Sequence, residues 1–572
     1  MRELKSGEEG VSSFPQVCLL AAATICIAAF ALVLSLHAFD DAGTFYLYKE
    51  DRWLLLGGVL VLALASWRLR PSAGSFAPSR RLLALSAGAI VPLLYLGHYW
   101  ILCGYDLSRD EQMAVFDSRI FAAGKLVQPL PLMWQAQSDA LNRLYMLAVP
   151  HPTAWVSAYL PINGALRALV GLILDPALTG PLLTAVGGFA LWKCARLLWP
   201  EDREAGLLGM LLYVGSGQVV LAGMTAYAMP AHLTVNLIWL WLFLLDRRRY
   251  DITALLVGFI GTGLHQPLFH PMFVAPFLAL LLHGRNWPRL ALYVLGYAVI
   301  GAFWASWPGW MVALAGGGGG TLPSNADYWT RLQLALTTND SSRFLDMAAN
   351  LLRFAAWQPI LLLPLAVIGM VSARRDRFIR ALAVGSVLPI LVMLLILPGQ
   401  GNGFGYRYLH GEIGCFILLA LSGWRHLSRE RAKLRSLMVR CSIGGLLFLL
   451  PLQMSMAHAL YAPYARVDRR IAASRTDFFI LDQEDAPFAV NLILNRADLS
   501  NRPIRVDARE LNPDLRIQMC KSNARVGFAR SSFFSPIAAY LSWPLQRSAA
   551  DQDATILAPL FRAAGCKIEV MS

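Results

Sequence analysis

Apolar segments separated by short polar loops recur along most of the chain. A helix crosses a bilayer core with about 20 apolar residues and satisfies its own backbone hydrogen bonds there. Charged residues make up only 15% of the chain, against about 25% in soluble domains. The pattern predicts an all-α polytopic membrane protein with about 13 transmembrane helices, and excludes a multidomain soluble enzyme. The segments are 16–38, 53–67, 82–103, 177–199, 205–222, 231–245, 252–264, 271–283, 290–312, 354–372, 379–397, 411–424 and 437–455.

The distribution of Lys and Arg predicts the orientation. With the N-terminus inside, the inner loops hold 21 Lys and Arg in 52 residues, and the outer loops hold 10 in 130. Basic residues accumulate on the cytoplasmic side of membrane proteins. The net charge of +14 is therefore assigned to cytoplasmic loops, and no nucleic-acid partner is expected. The Ala-, Leu- and Arg-rich composition with compact loops favours a bacterial inner membrane.

Three regions follow from this topology. Residues 1–81 form an N-terminal two-span extension, whose first apolar run is expected to be retained as a span. Residues 82–455 form the main transmembrane module, with outer loops at 104–150 and 313–353. Residues 456–572 mix short β-like and helix-like runs and are expected to form a small extracytoplasmic α/β domain. Cys520 and Cys566 lie in this tail and could form a disulfide if it lies outside the cytoplasm.

The stretch GYDLSRDEQMAVFDSRIFAAGKLVQPLP, at 104–131, is the most informative outer segment. A helix is expected to start near Ser108, with Asp110 and Glu111 in its first turn and Asp106 just before it. One interpretation is a solvated helix cap. The other is a carboxylate held at the membrane surface as a general base, whose pKa partial desolvation would raise toward working pH.

The Asp-Glu pair, the apolar helix after it and the G-x-L-x-x-P-x-P run resemble the first external loop of the GT-C membrane glycosyltransferases. That superfamily includes protein O-mannosyltransferases and lipid A aminoarabinose transferases. The resemblance implies a GT-C-like fold and sugar transfer from a polyprenyl-phosphate carrier on the outer face. It also implies that Asp110 is the catalytic base, with Glu111 beside it. The motif covers 104–131, the topology covers 82–455, and no second acidic motif aligns.

A second candidate is GLHQPLFHP, at 263–271. Proline interrupts helices and frees backbone carbonyls, which at membrane depth is tolerated where the break lines a cavity. His265, Gln266 and His270 are therefore expected to line the donor or acceptor cavity. The alternative is a tight turn between two spans. Some GT-C enzymes use a divalent metal and others do not, so a metal on the two histidines stays an open alternative and no cofactor is assigned.

A third candidate is the glycine-rich GQGNGFGYRYLHGE, at 399–412. Arg407 is the only Lys or Arg in the outer loop 398–411, and a guanidinium binds two phosphate oxygens while staying charged. Arg407, with Tyr406 and His410, is therefore expected to bind the carrier phosphate, as outer loops at comparable places do in GT-C enzymes. The alternative is an aromatic and basic anchor at the lipid headgroups.

Together these features predict a hexosyl- or pentosyltransferase that inverts the anomeric carbon and uses Asp110 as general base. Its partners are a polyprenyl-phosphate-linked sugar, membrane lipid, and a glycan, lipid or protein acceptor. The loop that opens with Gly316 to Gly320 is expected to be a lid or a plain linker. The alternatives are a lipid-linked-sugar flippase, which intramembrane charges would favour, and an O-antigen ligase or polymerase using Arg331, Arg343 and Arg353.

Overall fold

The structure is a computed structural model of the full chain. It describes residues 14–35, 42–71, 80–149, 152–316, 332–333, 337, 342–427, 431–483, 486–521, 523–544 and 549–572. Glycines 317–320 and Arg331 of the predicted lid loop lie outside these ranges.

The membrane region is built from α-helices, several of which are interrupted. Short 3₁₀ or π turns lie at Leu47–Asp51, Ser138–Leu141, Pro176–Leu178, Ala373–Arg375, Arg407–Glu412 and Gly445–Leu449. The helices before the C-terminal region are α1 Phe14–Ser35, α2 Ala42–Tyr46, α3 Arg52–Ser66, α4 Arg80–Trp100, α5 Arg109–Ala122, α6 Leu132–Gln135, α7 Ile162–Gly171, α8 Thr179–Leu198, α9 Arg203–Val214, α10 Gly217–Ala222, α11 Met229–Leu244, α12 Arg248–Thr262, α13 Phe269–His283, α14 Trp287–Leu314, α15 Ser342–Ala356, α16 Leu362–Ser372, α17 Arg377–Ile396, α18 Ile413–His426, α19 Arg431–Gly444 and α20 Leu450–Ala473.

The apolar helices confirm the prediction of a helical protein with several membrane spans, but they do not confirm the predicted number of spans. Among the described residues, four helices are long and apolar enough to cross a membrane: α1, α14, α17 and the continuous helix Ala432–Ala473. Shorter apolar helices include α11, α13 and α16. In α14 only 17% of the most apolar window is buried, so most of its surface is free to contact lipid. The figure of about 13 spans stays a prediction.

Two predicted segments are organised differently from a single span each. The segment 205–222 breaks into α9 and α10, where Ser216 caps α10 by accepting a hydrogen bond from Val219 N at 3.3 Å. The segment 437–455 is part of a helix that continues to Ala473. The apolar pattern ends near residue 455, whereas the helix continues to Ala473.

The C-terminal region is a small α/β unit, as expected. Its strands β3 to β6 form a parallel sheet in the order β4-β3-β5-β6, and a disulfide joins Cys520 to Cys566. Earlier in the chain, β1 Gln128–Pro129 pairs with β2 Ala154–Trp155. The elements after α20 are β3 Phe478–Leu481, β4 Ile504–Asp507, α21 Pro513–Cys520, β5 Arg525–Ala529, α22 Ser535–Leu541, α23 Ala549–Ala563 and β6 Lys567–Met571, with 3₁₀ turns at Pro487–Asn491, Ala508–Glu510 and Ser531–Phe534.

This C-terminal unit packs directly on the loop 104–150, which contains α5. Phe116 of α5 and Trp155 share one hydrophobic cluster with Val526 and Phe528 of β5. Trp155 Nε1 donates to Ala497 O at 2.8 Å, and Gln112 Nε2 donates to Asn491 O at 2.8 Å. These contacts therefore fix the position of α5 against the C-terminal unit.

A fully buried ion pair ties the N-terminal extension to the main module. Arg353 Nε donates to Asp51 Oδ2 at 2.9 Å, and both side chains are 1% exposed. Trp357 Nε1 donates to Asp51 Oδ1 at 2.6 Å, and Arg353 Nη2 donates to Gly403 O at 2.7 Å. The pair thus connects the turn after α2 to α15 and to the loop at 398–411.

Replacing Arg353 by alanine should strongly destabilise the protein, because it leaves the Asp51 carboxylate buried without its cation. Breaking a buried ion pair costs about 3–5 kcal/mol, whereas an exposed pair contributes at most about 1 kcal/mol. Thermal unfolding of the purified full chain should show a clearly lower midpoint for R353A. D139A is the control, since Asp139 pairs with Arg143 and is 67% exposed. Equal midpoints for R353A and D139A would contradict the prediction.

Candidate active site

The first turn of α5 is fixed by a reciprocal pair of hydrogen bonds. Ser108 Oγ accepts from Glu111 N at 3.3 Å, and Ser108 N donates to Glu111 Oε2 at 3.0 Å. This capping box satisfies backbone donors that the first turn would otherwise leave free. The predicted helix start at Ser108 is confirmed, with Asp110 and Glu111 in the first turn. Their side chains have different surroundings.

Asp110 forms an ion pair with Arg407, the residue at the start of the Arg407–Glu412 turn. Arg407 Nη1 lies 2.7 Å from Asp110 Oδ2, and the two side chains are 7% and 16% exposed. The Tyr159 hydroxyl donates to Asp110 Oδ1. The Arg407 guanidinium carbon lies 4.8 Å from the ring centre of Tyr227. The structure therefore brings together the two residues that the sequence proposed separately as base and phosphate ligand.

The glycine-rich loop lets the backbone approach Arg407 closely. Gly403 has φ +145°, and a Cβ there would lie 2.3 Å from Arg407 Cδ. Gln400 Oε1 accepts from Arg407 N at 2.8 Å, and Gln400 Nε2 donates to Gly405 O at 2.7 Å. A side chain at position 403 would displace Arg407, so glycine is required to place the guanidinium beside Asp110.

The ion pair sets the charge state of Asp110. Burial alone would raise the pKa of this carboxyl, but the Arg407 charge, the nearby His265 and the Tyr159 hydrogen bond together hold it below its usual value. The expectation of a raised pKa is therefore wrong, because a cation lies against the carboxylate. Asp110 is ionised at neutral pH in this arrangement.

Glu111 holds the start of α5 in place. Besides the capping box, it accepts from the Tyr461 hydroxyl at 3.1 Å (Oε1) and 3.0 Å (Oε2). Burial, together with the like charge of Asp106, raises the pKa of Glu111 to about 8. Burial also raises the pKa of Asp106. The positive charges of Arg167, His98 and Arg119 oppose this increase. These two carboxyls form a cluster separate from the Asp110–Arg407 pair.

A cavity lies beside Arg407, among α11, the turn after α12, α13 and the Arg407–Glu412 turn. Its polar lining comprises His232, Asn236, His265, Arg407, Tyr408, His410 and Glu412. The His265 ring centre is 4.1 Å from that of Tyr159, which places His265 next to the Asp110 carboxylate. Burial lowers the pKa of His265 to about 4, against the opposing effect of Asp110, so this imidazole is neutral at working pH.

The other predicted residues take different positions. His270 is fully buried, with Nδ1 2.8 Å from Asn236 Oδ1 and Nε2 2.9 Å from the Tyr297 hydroxyl. Gln266 lies in the same turn as His265 and is partly buried. Tyr406 is buried in the helix core, and its carbonyl accepts from Gln218 Nε2 at 2.9 Å. Among the described residues, no group of three or more His, Cys, Asp or Glu is placed to hold a metal ion.

Sequence reasoning missed Tyr159, Tyr227, His232 and Glu412. His232 carried a usable signal, because an ionisable residue within an apolar helix usually has a functional or structural partner. Glu412 ended the third motif but was not singled out. The two tyrosines had no such signal, since aromatic residues are frequent throughout the chain.

The comparisons with family models and curated proteins found no match, whereas the comparison with solved structures did. No protein-family model matches the chain, and no curated protein matches it. Among solved structures, ArnT from Cupriavidus metallidurans in the apo state is 12% identical, with 72% of this chain and 84% of that chain covered and a TM-score of 0.48. The same protein bound to undecaprenyl phosphate is 12% identical, with 72% and 85% covered and a TM-score of 0.51. At 12% identity the similarity to the second structure shows the fold alone, and this chain has an ArnT-like GT-C fold.

Proposed function

We propose that this protein is an integral membrane glycosyltransferase that moves a sugar from a polyprenyl-phosphate carrier to an acceptor hydroxyl on the outer face of the membrane. The observation that carries the proposal is the Asp110–Arg407 ion pair beside a cavity among the helices. The shared fold supports the donor class, because one ArnT structure contains undecaprenyl phosphate. The transferred sugar is a hexosyl or pentosyl unit, and the acceptor is a glycan, a lipid or a protein.

In the proposed reaction, Arg407 binds the carrier phosphate and Asp110 accepts the proton of the acceptor hydroxyl. The acceptor oxygen attacks the anomeric carbon from the face opposite the phosphate. The bond from that carbon to the phosphate oxygen breaks, and the electron pair leaves with the phosphate, whose charge Arg407 stabilises. Attack from the opposite face inverts the anomeric configuration.

The ion pair also gives donor binding a role in activating the base. While Arg407 is paired with Asp110, it keeps the pKa of that carboxyl low. Phosphate oxygens compete for the same guanidinium, which can bind two of them at once. As Arg407 moves to the phosphate, Asp110 loses its nearest cation and burial then raises its pKa. The carboxylate becomes a stronger base when the donor is present, while Tyr159 maintains its orientation.

We assign the remaining predicted residues supporting roles. Glu111, first expected as a catalytic neighbour, positions Asp110 through Ser108 and Tyr461. His265 and His410 line the cavity, and His270 and Tyr406 form the packed structure behind it. Asp106 and Gln266 are proposed to contact substrate at the edges of the site.

The proposed location is the bacterial inner membrane, with the N-terminus in the cytoplasm and residues 456–572 in the periplasm. The Cys520–Cys566 disulfide supports this, since disulfides persist in oxidising compartments. Of the three arginines on which the O-antigen ligase or polymerase alternative depends, Arg353 is 1% exposed and paired with Asp51, so it is not free to bind a substrate. That alternative is not favoured.

Replacing Asp110 by asparagine should reduce sugar transfer by about 10²–10⁴-fold, because the amide keeps the shape but cannot accept the proton. R407K should also lose activity, because Lys keeps the charge without the two-oxygen geometry. The assay is transfer of radiolabelled sugar from polyprenyl-phosphate donors by the full chain in proteoliposomes.

D251N is the matched control, since Asp251 is also buried and paired with an arginine, Arg289, 2.7 Å away. Wild-type turnover in D110N would exclude Asp110 as the base, and carrier movement without sugar cleavage would favour the flippase.

The pH dependence of stability should report on Glu111. The pKa of this group is about 8 in the folded protein, against an ordinary value of 4.5. Its protonated form therefore contributes stability that is complete below about 4.5 and is lost as the pH rises through about 8. E111Q cannot ionise and retains the capping box, so its unfolding midpoint should exceed that of the wild type increasingly as the pH rises through this window. Parallel pH profiles for E111Q and wild type would contradict this, and E111A, which lacks the capping box, controls for loss of the helix start.

A further inference from the structure

Tyr227 lies in the short connection between α10 and α11, and this connection is fixed by its own hydrogen bonds. Thr225 Oγ1 donates to Ala222 O at 2.7 Å and accepts from Tyr227 N at 3.3 Å. Threonine hydroxyls that bond to the nearby backbone in this way stabilise turns. Tyr227 itself is 6% exposed. Its side chain is therefore buried and projects from a turn that is braced on both sides.

The ring of Tyr227 lies against the Arg407 guanidinium. The guanidinium carbon is 4.8 Å from the ring centre, and the arginine side chain is 7% exposed. A cation within about 6 Å of an aromatic ring is attracted by the ring's π electrons, most strongly where water is excluded. Burial raises the pKa of the Tyr227 hydroxyl well above its usual value, so the residue holds the cation while remaining uncharged.

The hydroxyl of Tyr227 is bonded to the glycine-rich loop behind the guanidinium. It donates to Asn402 O at 3.0 Å, one residue before Gly403, whose missing side chain makes room for the guanidinium. The side chain of Ser108, which caps α5, interacts with the same hydroxyl. Tyr227 thus contacts the guanidinium, the loop that supports it and the start of the helix that carries the proposed base.

The guanidinium has two partners, and they differ in their response to a phosphate. Asp110 accepts the only hydrogen bond that the Arg407 side chain makes to the part of the chain that the structure describes. In the proposed reaction, the phosphate replaces Asp110 as the anion on the guanidinium. An uncharged ring does not compete with an anion for a cation. Tyr227 can therefore stay in contact with Arg407 while Asp110 is exchanged for the phosphate.

A contact that persists through this exchange should favour phosphate binding. Fixing a long, flexible side chain costs conformational entropy, and this cost is subtracted from the binding free energy when the side chain becomes ordered only on binding. An arginine that already lies on a fixed ring has lost most of this freedom before the phosphate arrives. The ring should therefore increase the affinity for the phosphate group in particular.

We infer that Tyr227 is a positioning residue for Arg407. Its ring holds the guanidinium as the cation moves from Asp110 to the carrier phosphate, and its hydroxyl holds the loop against which the guanidinium packs. The inference rests on the proposed function, since it assumes that the carrier phosphate binds at Arg407. It goes further in assigning the phosphate affinity of the site partly to a residue that touches neither the phosphate nor the acceptor.

The test measures equilibrium binding of undecaprenyl phosphate and of undecaprenol by the full chain in nanodiscs, without turnover. The two probes differ only in the phosphate, so the ratio of their affinities reports the phosphate contact. The wild type should bind undecaprenyl phosphate about tenfold or more tightly, which corresponds to about 1.4 kcal/mol. Y227L lacks both ring and hydroxyl and should lower this ratio about fivefold, a typical effect of a desolvated cation–π contact, with undecaprenol binding unchanged.

Three further variants make the test specific. Y227F keeps the ring and should retain the ratio to within about twofold. Y213L is the matched control, because Tyr213 is also buried in the helix core and donates to a backbone carbonyl, Thr184 O, at 2.8 Å. It should leave the ratio unchanged. If Y227L does not fold, Y227M replaces it, since methionine is flexible and fills irregular gaps in a core.

The remaining results contradict different statements. A wild-type protein that binds the two probes equally overturns the phosphate site and with it the proposed function. A wild-type preference for the phosphate that Y227L leaves unchanged, including equal losses of affinity for both probes, overturns the role of Tyr227 alone. A loss of the ratio in Y227F as large as in Y227L would assign the effect to the hydroxyl and overturn the role of the ring.

Discussion

The arrangement of the site depends on one ion pair, between Asp110 on α5 and Arg407 in the turn before α18. The two residues are 297 positions apart and both are largely buried. A buried charge without its partner is strongly unfavourable, so neither loop can take its observed position alone. The capping box at Ser108 supports one side of the pair, and Gln400 with Gly403 supports the other. The observed positions of the two loops therefore depend on each other through this pair.

Much of each half of this site follows from local sequence, whereas their meeting does not. Ser108 and Glu111 stand at capping-box spacing, so the start of α5 and the position of Asp110 were predictable. Arg407 was a candidate because basic residues are sparse on that side. No local signal places Arg407 against Asp110, and the direction of the pKa shift depends on that contact. Considered alone, a buried Asp110 suggested a raised pKa, and the neighbouring cation reverses the sign.

The N-terminal extension illustrates the same limit. Residues 1–81 appeared to be an addition before the main module, and Asp51 appeared to be one charge in a short polar loop. In the structure Asp51 is completely buried and reaches Arg353, which in turn donates to the carbonyl of Gly403. Gly403 is the residue whose lack of a side chain makes room for Arg407. The extension is therefore part of the support for the site, a role that only the long-range pairing reveals.

The proposed donor has three unlike parts. A polyprenyl-phosphate sugar has an apolar chain, one charged phosphate and a hydroxylated ring. The apolar helices offer lipid-facing surface, Arg407 is a cation beside the cavity, and His232, His265 and Glu412 line that cavity. Because only one of the three parts of the donor is anionic, pairing that part with Arg407 also fixes where the other two parts must lie. In the proposed reaction, the anomeric carbon, which joins phosphate to sugar, would then lie near Arg407 and hence near Asp110. In this arrangement the recognition of charge would set the geometry of the chemistry.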